Sequence, residues 1–452
     1  MSETEEKIVE DESLKPDRKE VFGWMLYDFA NTSFSVIIVT ALYSVYLKDM
    51  ANSLTGIPNF GDYIWGLAGS ITMLIIALTS PILGAIADYS GKKKAFVWFY
   101  TFLCIIFTAL LYFVTPSLNI FGIPAYIWGA ILFIIANIGF QGALPFYNAW
   151  LPEISTPENT GKISGWGFAF GYVGAMISVI IAMIITIMFP ASTYGDFGVR
   201  LAFVSSALFF LVFGVPAIML LKSRPPKKRP EEEGKSYVSI GFARVRRSFR
   251  LMKKFPSLPK FLLAYFLFSD AITTVIYFAA IFATTTLAYN TMEVLILFVV
   301  TQFAAIPGAF TFGYIADHIG TKKTLIITLM IWIVVCIGGY LSYDKMTFFY
   351  VAMLAGVGMG SSQSTARAMF SGYIPEEKKS EMFGFYALTG KFAAILGPFV
   401  FGVVSLLAGQ RMAILTLTIF FVLAMLILIP VKAPEDIGKI EIHLEDDLPV
   451  VS

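Results

Sequence analysis

Four ionisable residues stand inside long apolar stretches of this 452-residue sequence: Asp28, Asp270, Arg367 and Lys391. A charge at the centre of a membrane helix costs about 2.5–3.5 kcal/mol on insertion scales, so such residues are candidates for function. At about 1.5 Å per helical residue, each lies about 13–15 Å from the nearest charge on the expected cytosolic side, close to the middle of a bilayer. This common depth predicts one shared polar cavity.

Other polar side chains extend these positions along the helix faces. They are Tyr27 and Asn31 beside Asp28; Thr273, Thr274 and Tyr277 after Asp270; Gln363 one turn before Arg367; and Gln141 and Gln302 at similar depth. A zwitterion would suit this set, with its ammonium near Asp28 and its carboxylate near Arg367, and either acid can bind a coupling proton. The alternative is that the charges are interhelical pairs that hold the structure together, and the sequence leaves both interpretations open.

The elements that must position these residues are apolar helices. Hydrophobic residues make up 57% of the chain and charged residues 14%, against about 25% charged in soluble domains. A bilayer core of about 30 Å needs about 20 apolar residues per helix. Twelve such stretches can be read, approximately at residues 22–47, 63–87, 95–115, 124–149, 162–189, 199–221, 258–289, 292–316, 324–342, 347–372, 382–408 and 410–431.

The distribution of Lys and Arg predicts the orientation of these spans. With the N-terminus inside, the cytosolic tails and loops hold 27 basic residues, and the external loops hold Lys48, Arg200, Lys345 and Arg411. Both termini are therefore expected in the cytosol. The first twenty residues are polar and mixed in charge, which is typical of a cytosolic tail and not of a signal or transit peptide.

A repeat divides the chain into two halves. The segment from Gly84 to Lys94 reads GAIADYSGKKK, and the segment from Gly313 to Lys323 reads GYIADHIGTKK. The matching residues are Gly84, Asp88, Gly91 and Lys92 in the first copy, and Gly313, Asp317, Gly320 and Lys322 in the second. The first glycine of each copy is expected to allow close helix packing, and each aspartate to accept from the backbone at the start of the next helix.

These loops resemble the signature of the major facilitator superfamily. Residues 23–31 read GWMLYDFAN and are similar to a span-one motif of its "unknown major facilitator" branch, which includes vacuole effluxers linked to amino-acid release after autophagy. Further similar positions are residues 363–367 (QSTAR), Pro375, Glu381, Phe383, Gly384, Gly390 and Lys391. The resemblance implies a transporter whose cavity is lined by spans one, four, seven and ten.

The predicted fold is an all-α membrane protein in which twelve transmembrane helices form two pseudo-symmetric six-helix bundles. The predicted order is a cytosolic tail (1–21), an N-terminal bundle (22–221), a basic linker (222–257), a C-terminal bundle (258–432) and a second cytosolic tail (433–452). In the linker, apolar residues recur at helical spacing between basic ones: Val238, Phe242, Val245, Phe249 and Met252. That pattern predicts an amphipathic helix on anionic headgroups at the cytosolic face.

The resulting functional prediction is a secondary active transporter that works by alternating access and moves a small solute, an amino acid or similar zwitterion, with possible coupling to protons. Alternatives are a carrier of drugs, sugars or peptides, a membrane-embedded enzyme, or a channel.

Two histidines and two cysteines argue against a metal centre, and no phosphate-binding Gly-x-x-x-x-Gly-Lys loop occurs, so no cofactor is expected. A net charge of +2 gives no reason to expect a nucleic-acid partner. A multi-pass location in a prokaryotic plasma membrane is expected, with an organelle membrane as the alternative.

Overall fold

The fold comes from a computed structural model that describes residues 17–155, 160–223, 246, 250, 257–374, 386 and 389–434. Within these ranges the chain is almost entirely helical, apart from one small antiparallel hairpin, β1 (Asn119–Ile120) with β2 (Ile123–Pro124). The predicted amphipathic helix of the linker, most of both predicted tails, and the similar positions Pro375, Glu381, Phe383 and Gly384 lie outside the described residues.

Fifteen α-helices can be bounded in the described part of the chain. They are α1 (Arg18–Phe34), α2 (Tyr43–Thr55), α3 (Phe60–Ser90), α4 (Lys93–Leu110), α5 (Ala125–Asn148), α6 (Leu151–Ile154), α7 (Thr160–Met188), α8 (Ala191–Tyr194), α9 (Phe197–Leu220), α10 (Leu258–Leu287), α11 (Thr291–Ile319), α12 (Thr321–Leu341), α13 (Lys345–Gly372), α14 (Leu396–Ala408) and α15 (Gln410–Leu428).

Eleven stretches of the described chain are long and apolar enough to cross a membrane. The first of them runs through α1 and α2 (Arg18–Thr55), and the tenth starts ahead of α14 (Thr389–Ala408). Helix α13 is 28 residues long but more polar, because it carries the segment from Gly358 to Arg367. With α13 the helices match the twelve predicted spans, and the all-α prediction is confirmed.

Contacts divide the chain into two units. The first unit contains Met1–Tyr43 and Leu78–Gly241, and the second contains Ser44–Ala77 and Phe242–Ser452. Both boundaries inside the first sequence half fall within a predicted span. The end of span one and the start of span two therefore pack in the second unit, an arrangement that the two-halves pattern of the sequence does not anticipate.

The first unit is built around α1, which packs against α7 and α9, while α4 packs against α5 and α9. Its core is rich in aromatic rings: the side chains of Tyr27, Tyr147, Phe203 and Phe210 are fully buried. Three glycines of α7 allow the close approach to α1, since a Cβ at Gly174 would lie 2.1 Å from the backbone oxygen of Phe29.

In the second unit, α11 and α12 pack against α13, and α10 and α12 pack against α15. Helix starts carry the side chains that satisfy free backbone N–H groups. Asn290 and Glu293 form a reciprocal capping box at α11, and Asp344 accepts from the backbone of Thr347 at α13. These local signals fix where the helices begin.

The first span is interrupted between α1 and α2 by a π-helical segment, Ser35–Ala41. Thr40 places its hydroxyl between the backbone oxygens of Ser35 and Val36, each at 3.0 Å. Wide turns of this kind are rare and often mark functional sites within helices. This one directly precedes the boundary at which the chain passes from the first unit to the second.

The two signature loops make tight turns that require glycine at one position. Gly91 has φ +66° and Gly320 has φ +90°, a region that other residues rarely adopt. A lysine of each loop then reaches the C-terminal end of the last helix of its own unit. Lys94 donates to the carbonyl of Leu221 at 2.7 Å, and Lys322 donates to that of Ile429 at 2.7 Å. A cation at a helix C-terminus is favourable because the carbonyl dipoles point toward it.

Two roles predicted for the signature residues are wrong for the described residues. A Cβ at Gly84 or Gly313 would meet no atom within 4 Å, so neither glycine marks a close helix contact. At the start of α12 the N-cap is Gly320, no side chain caps the helix, and Asp317 is exposed. The side chain of Asp88 lies outside what the structure describes, so its predicted cap stays a prediction.

Candidate functional site

Asp28 is the acid of the first unit that the sequence singled out. It lies on α1 and is partly exposed, and the hydroxyl of Tyr147 and the side chain of Asn31 lie against its carboxylate. A Cβ at Gly167 would come within 2.9 Å of its Oδ2, so the backbone of α7 passes close beside the acid. Asp28 therefore sits in a polar recess formed by α1, α5 and α7.

Aromatic stacking fixes the walls of this recess. The rings of Trp24 and Tyr147 are stacked with centroids 4.8 Å apart, and each residue donates a side-chain hydrogen bond to the backbone oxygen of the other. The ring of Tyr27 lies 4.8 Å from that of Tyr147, and its hydroxyl pairs with Thr101 at 2.7 Å. Tyr27 is fully buried, so it supports the recess from behind rather than facing a solute.

Two buried amides of the first unit have unused hydrogen-bonding groups within the described chain. Asn31 is 4% exposed and its Nδ2 has no partner, although it lies beside Asp28. Asn137 on α5 is 1% exposed, and neither its Nδ2 nor its Oδ1 has a partner. The sequence predicted Gln141, one turn further along α5, which is half-buried, and missed Asn137. An unsatisfied buried amide is costly, so such groups are candidates for hydrogen bonds to a solute.

Asp270 in the second unit has a different environment. It is fully buried, and its Oδ1 accepts from the backbone N–H of Gly397 at 2.8 Å, near the start of α14. Thr274 donates to the backbone oxygen of Asp270 at 2.7 Å. A carboxylate at a helix N-terminus is held by the exposed N–H groups and by the helix dipole. Asp270 thus ties α10 to α14 through its Oδ1; within the described residues its Oδ2 has no partner and it forms no ion pair.

Arg367 and Gln363 share a face of α13. Both are exposed, as is Ser364 between them, which is unusual for polar groups in the middle of a membrane helix. Arg367 is close enough to Tyr265 and Tyr386 to act on both electrostatically, and these two rings are stacked with centroids 4.1 Å apart. The predicted pair of residues therefore shares one exposed face of α13.

Lys391 and Gln302 occupy separate places in the second unit. Lys391 is half-buried and follows Gly390, at which a Cβ would lie 3.0 Å from the Tyr265 hydroxyl. Gln302 lines an apolar cavity of about 90 Å³ together with Phe278, Trp332 and Phe348, and its Oε1 has no partner within the described residues.

One buried polar cluster that the structure describes was not predicted from the sequence. Asp62 is fully buried at the start of α3; its Oδ2 accepts from Ser405 and, at 2.8 Å, from Gln410. Lys48, expected in an external loop, lies within α2 and is 3% exposed. Asp62 was missed because it immediately precedes a predicted span and was assigned to the loop.

Comparison with known proteins decides the family. The model of a family described as "Vacuole effluxer Atg22 like" matches residues 64–437, most of the chain. This chain belongs to that family. An MFS-type transporter of Bacillus subtilis (strain 168), YxiO, is 31% identical to this Atg22-like chain over 447 residues, covering 97% of the chain and all of YxiO. Autophagy-related protein 22 of Coccidioides immitis is 22% identical over 530 residues, covering 91% of this chain and 85% of that protein.

Solved structures show the same fold at low sequence identity. A D-xylose–proton symporter has a TM-score of 0.69 at 14% identity, covering 91% of this chain and 97% of that one. The nucleoside transporter NupG has a TM-score of 0.63 at 12% identity, covering 90% and 98%. The Atg22-like chain is therefore an integral multi-pass membrane protein and a secondary transporter of the major facilitator type, and the resemblance read from its motifs is confirmed.

Proposed function

We propose that this transporter carries a small zwitterionic metabolite, an amino acid or a compound like it. The observation that carries the proposal is the environment of Asp28, a half-buried acid beside the buried amide of Asn31, whose Nδ2 has no partner within the described residues. A substrate ammonium would neutralise the carboxylate, and the charge-assisted hydrogen bond between them would offset the desolvation cost of the carboxylate.

The Nδ2 of Asn31 donates, so it suits an acceptor atom of the same substrate rather than the ammonium itself. A small molecule that carries donors and acceptors on neighbouring atoms would satisfy both Asp28 and Asn31. Sugars offer hydroxyls, but they leave the charge of Asp28 unpaired, which favours a cationic group at this position.

Arg367 is the proposed partner of the substrate carboxylate. Its guanidinium binds carboxylates through two parallel hydrogen bonds, and Gln363 on the same helix face can add a third. The pair is exposed in the second unit, whereas the acid is held in the first. In the proposal, the substrate carboxylate engages Arg367 and Gln363 at one step of the transport cycle.

Transport energy is proposed to come from a proton gradient, with Asp28 as the proton-accepting group. The chain has no phosphate-binding loop for ATP, and a carboxylate that alternates between substrate and proton couples the two by competition. The expected setting is a prokaryotic plasma membrane with both termini in the cytosol. The basic residues on the expected inner side support this orientation, and the likeness to YxiO of B. subtilis supports a bacterial membrane.

Counterflow in proteoliposomes tests the substrate proposal. Proteoliposomes that contain the purified carrier are loaded with one solute from a panel of amino acids, dipeptides and sugars. Exchange of the labelled solute is then measured at two pH values. We expect saturable exchange for amino acids with trans-stimulation, which also separates a carrier from a pore. Exchange of sugars alone, by folded protein, would replace the zwitterion with a neutral substrate.

Two variants of Arg367 sharpen the test. Arg367→Gln removes the charge, and Arg367→Lys keeps it but removes the planar fork. We expect a rise in the KM for exchange of about tenfold or more for the Gln variant, the loss expected for one charged hydrogen bond, and a smaller rise for the Lys variant. Equal KM values in both variants and the parent would show that Arg367 does not bind the substrate.

A further inference from the structure

The segment Ser44–Ala77 packs in the second unit although it belongs to the first half of the sequence. Trp65 stacks on Tyr277 with centroids 4.6 Å apart and donates to its backbone oxygen at 3.2 Å. Ser70 donates to the backbone oxygen of Ile395 at 2.7 Å. A Cβ at Gly66 would lie 2.2 Å from the backbone oxygen of Pro398, so the two helices are in close contact there. On the predicted topology, this end of the second unit faces the outside.

The segment is held there by what we call the outer cluster: Asp62, Ser405, Gln410 and Thr286. Ser405 and Gln410 both donate to the Oδ2 of Asp62, and the Oε1 of Gln410 accepts from Thr286 at 2.6 Å. The Oδ1 of Asp62 has no partner within the described residues, although the side chain is fully buried. One carboxylate therefore joins α3 to α14 and α15.

The charged groups that face Asp62 come from α2. Lys48 is 3% exposed, donates to the hydroxyl of Thr285 at 2.5 Å and forms an ion pair with Asp49. Helices α14 and α15 present only the neutral side chains of Ser405 and Gln410 to the carboxylate. Among the described residues, Asp62 has two hydrogen bonds and no ion pair, Lys48 acts on it electrostatically, and its unpartnered Oδ1 can take a proton.

Both ends of the segment carry features that let a helix bend. The π-helical segment Ser35–Ala41 ends two residues before Tyr43, where the first unit stops. Pro81, which lacks an N–H for the helix ladder, lies four residues beyond Ala77 in α3. The segment can therefore move as a piece without unfolding the helices to which it belongs.

We infer that Asp62 is a proton-binding site whose charge state decides whether Ser44–Ala77 is latched to α14 and α15. The ionised carboxylate holds Ser405 and Gln410 by charge-assisted hydrogen bonds, which are about twice as strong as neutral ones. A proton on Oδ1 removes the charge, weakens both contacts and releases the segment. The inference depends on the carrier class and not on the proposed substrate.

Cysteine labelling at the outer end tests this latch without any substrate. The reporter is Ser70→Cys, because Ser70 is 7% exposed behind the latch, and the native Cys104 and Cys336 are both buried and can be replaced by Ser. A membrane-impermeant maleimide is added from outside. The rate is divided by that of Ser117→Cys, an exposed reporter on a predicted external loop, which removes the pH dependence of the thiol itself.

We expect the normalised rate to rise about tenfold between neutral pH and an acidic pH at which the Asp62 carboxylate is protonated, the change expected when one charged hydrogen bond is lost. Asp62→Asn should label at the fast rate at both pH values. The matched control Asp344→Asn removes an exposed N-cap carboxylate outside the outer cluster and should keep the profile of the parent. Ser405→Ala keeps the acid and removes one donor, so it should label faster at neutral pH and still respond to acid.

A parent rate that does not change with pH, or a folded Asp62→Asn variant as slow as the parent, would overturn the latch. If Asp62→Asn does not fold, unchanged labelling in Ser405→Ala overturns it instead.

A disulfide provides a second test of the movement. A Cβ at Gly402 would lie 3.0 Å from the Cα of Tyr63, so Tyr63→Cys with Gly402→Cys should cross-link. The cross-linked reporter should lose its response to acid and regain it on reduction; a response that survives cross-linking contradicts the proposed movement.

Discussion

Asp28 and Asp270 look equivalent in the sequence, since each is a single acid at the same expected depth of its span. The structure separates them. Asp28 is half-buried and is contacted by side chains of α1 and α5, whereas Asp270 is fully buried and its Oδ1 is held by the backbone of α14. A carboxylate held by side chains beside a free donor can exchange its partner for a solute. One held by a helix N-terminus has its partner fixed by the fold. We therefore propose a binding role for the first acid and a structural role for the second.

The largest effect is expected from neutralising the two acids in turn. Asp28→Asn should lower counterflow about a hundredfold, the loss that follows when a charged contact of about 2–3 kcal/mol is removed, with the yield of folded protein unchanged. Asp270→Asn should instead lower the amount of folded protein, because Asn has lost the charge that the N-terminus of α14 stabilises. Counterflow per folded molecule and monodispersity in detergent measure the two effects.

If Asp28→Asn loses folded protein and transport together, Asp28 is a structural contact like Asp270. If Asp270→Asn loses transport at full folded yield, the assignment is reversed. Asp344→Asn, at an exposed N-cap outside the acid sites, provides the control for the loss of one carboxylate.

A second, smaller effect is expected from filling the space beside Asp270. In Gly397→Ala, the new Cβ would lie 2.1 Å from the Thr274 hydroxyl and 2.6 Å from Asp270 Oδ1, so α14 must shift. We expect a loss of about 1–3 kcal/mol in the free energy of unfolding, typical of overpacking in a close-packed interior. Gly313→Ala is the matched control because its Cβ would meet no atom within 4 Å.

The control should be neutral or more stable by about 0.5–1 kcal/mol, since alanine is the better helix former. Thermal unfolding in detergent measures both variants. A Gly397→Ala variant as stable as its control would show that Asp270 is not tightly held by α14.

The smallest effect compares two acids outside the membrane, one at a helix start in each unit. A hydrogen bond from the Lys222 side chain, then one from the backbone N–H of Lys19, lowers the pKa of Asp17. The hydroxyl and the backbone N–H of Thr347 lower the pKa of Asp344. A carboxyl with a lowered folded pKa adds stability above its unfolded pKa and loses it as the pH falls through the folded value.

Asp17→Asn and Asp344→Asn should therefore be slightly less stable than the parent at neutral pH and equal to it in acid. Added salt should shrink the deficit of Asp17→Asn, whose partner is a solvent-exposed lysine, and leave that of Asp344→Asn, whose partners are neutral. Melting temperatures across pH and salt measure this, and equal salt responses would contradict the difference in partners.

The membrane fold and the family were predictable because they depend on local or repeated sequence features. Span lengths follow from runs of apolar residues, and the turn glycines Gly91 and Gly320 lie where the two copies of the repeat match. The proximity of Asn31 to Asp28 was also predictable, since residues three apart share a helix face. The burial of Tyr27 was not, because the ring meets Thr101 and Tyr147 on other helices.

The sequence alone determined that this chain is a helical membrane carrier of its family, with acids and bases deep in its spans. Only the tertiary structure decided which acid is held by backbone and which by side chains, and that Asp62 joins Ser405 and Gln410 across 343 and 348 positions of chain. The physical reason is range: apolar runs and turn residues act on their neighbours in sequence. The burial and partners of a carboxylate depend on helices that meet only after the chain has folded.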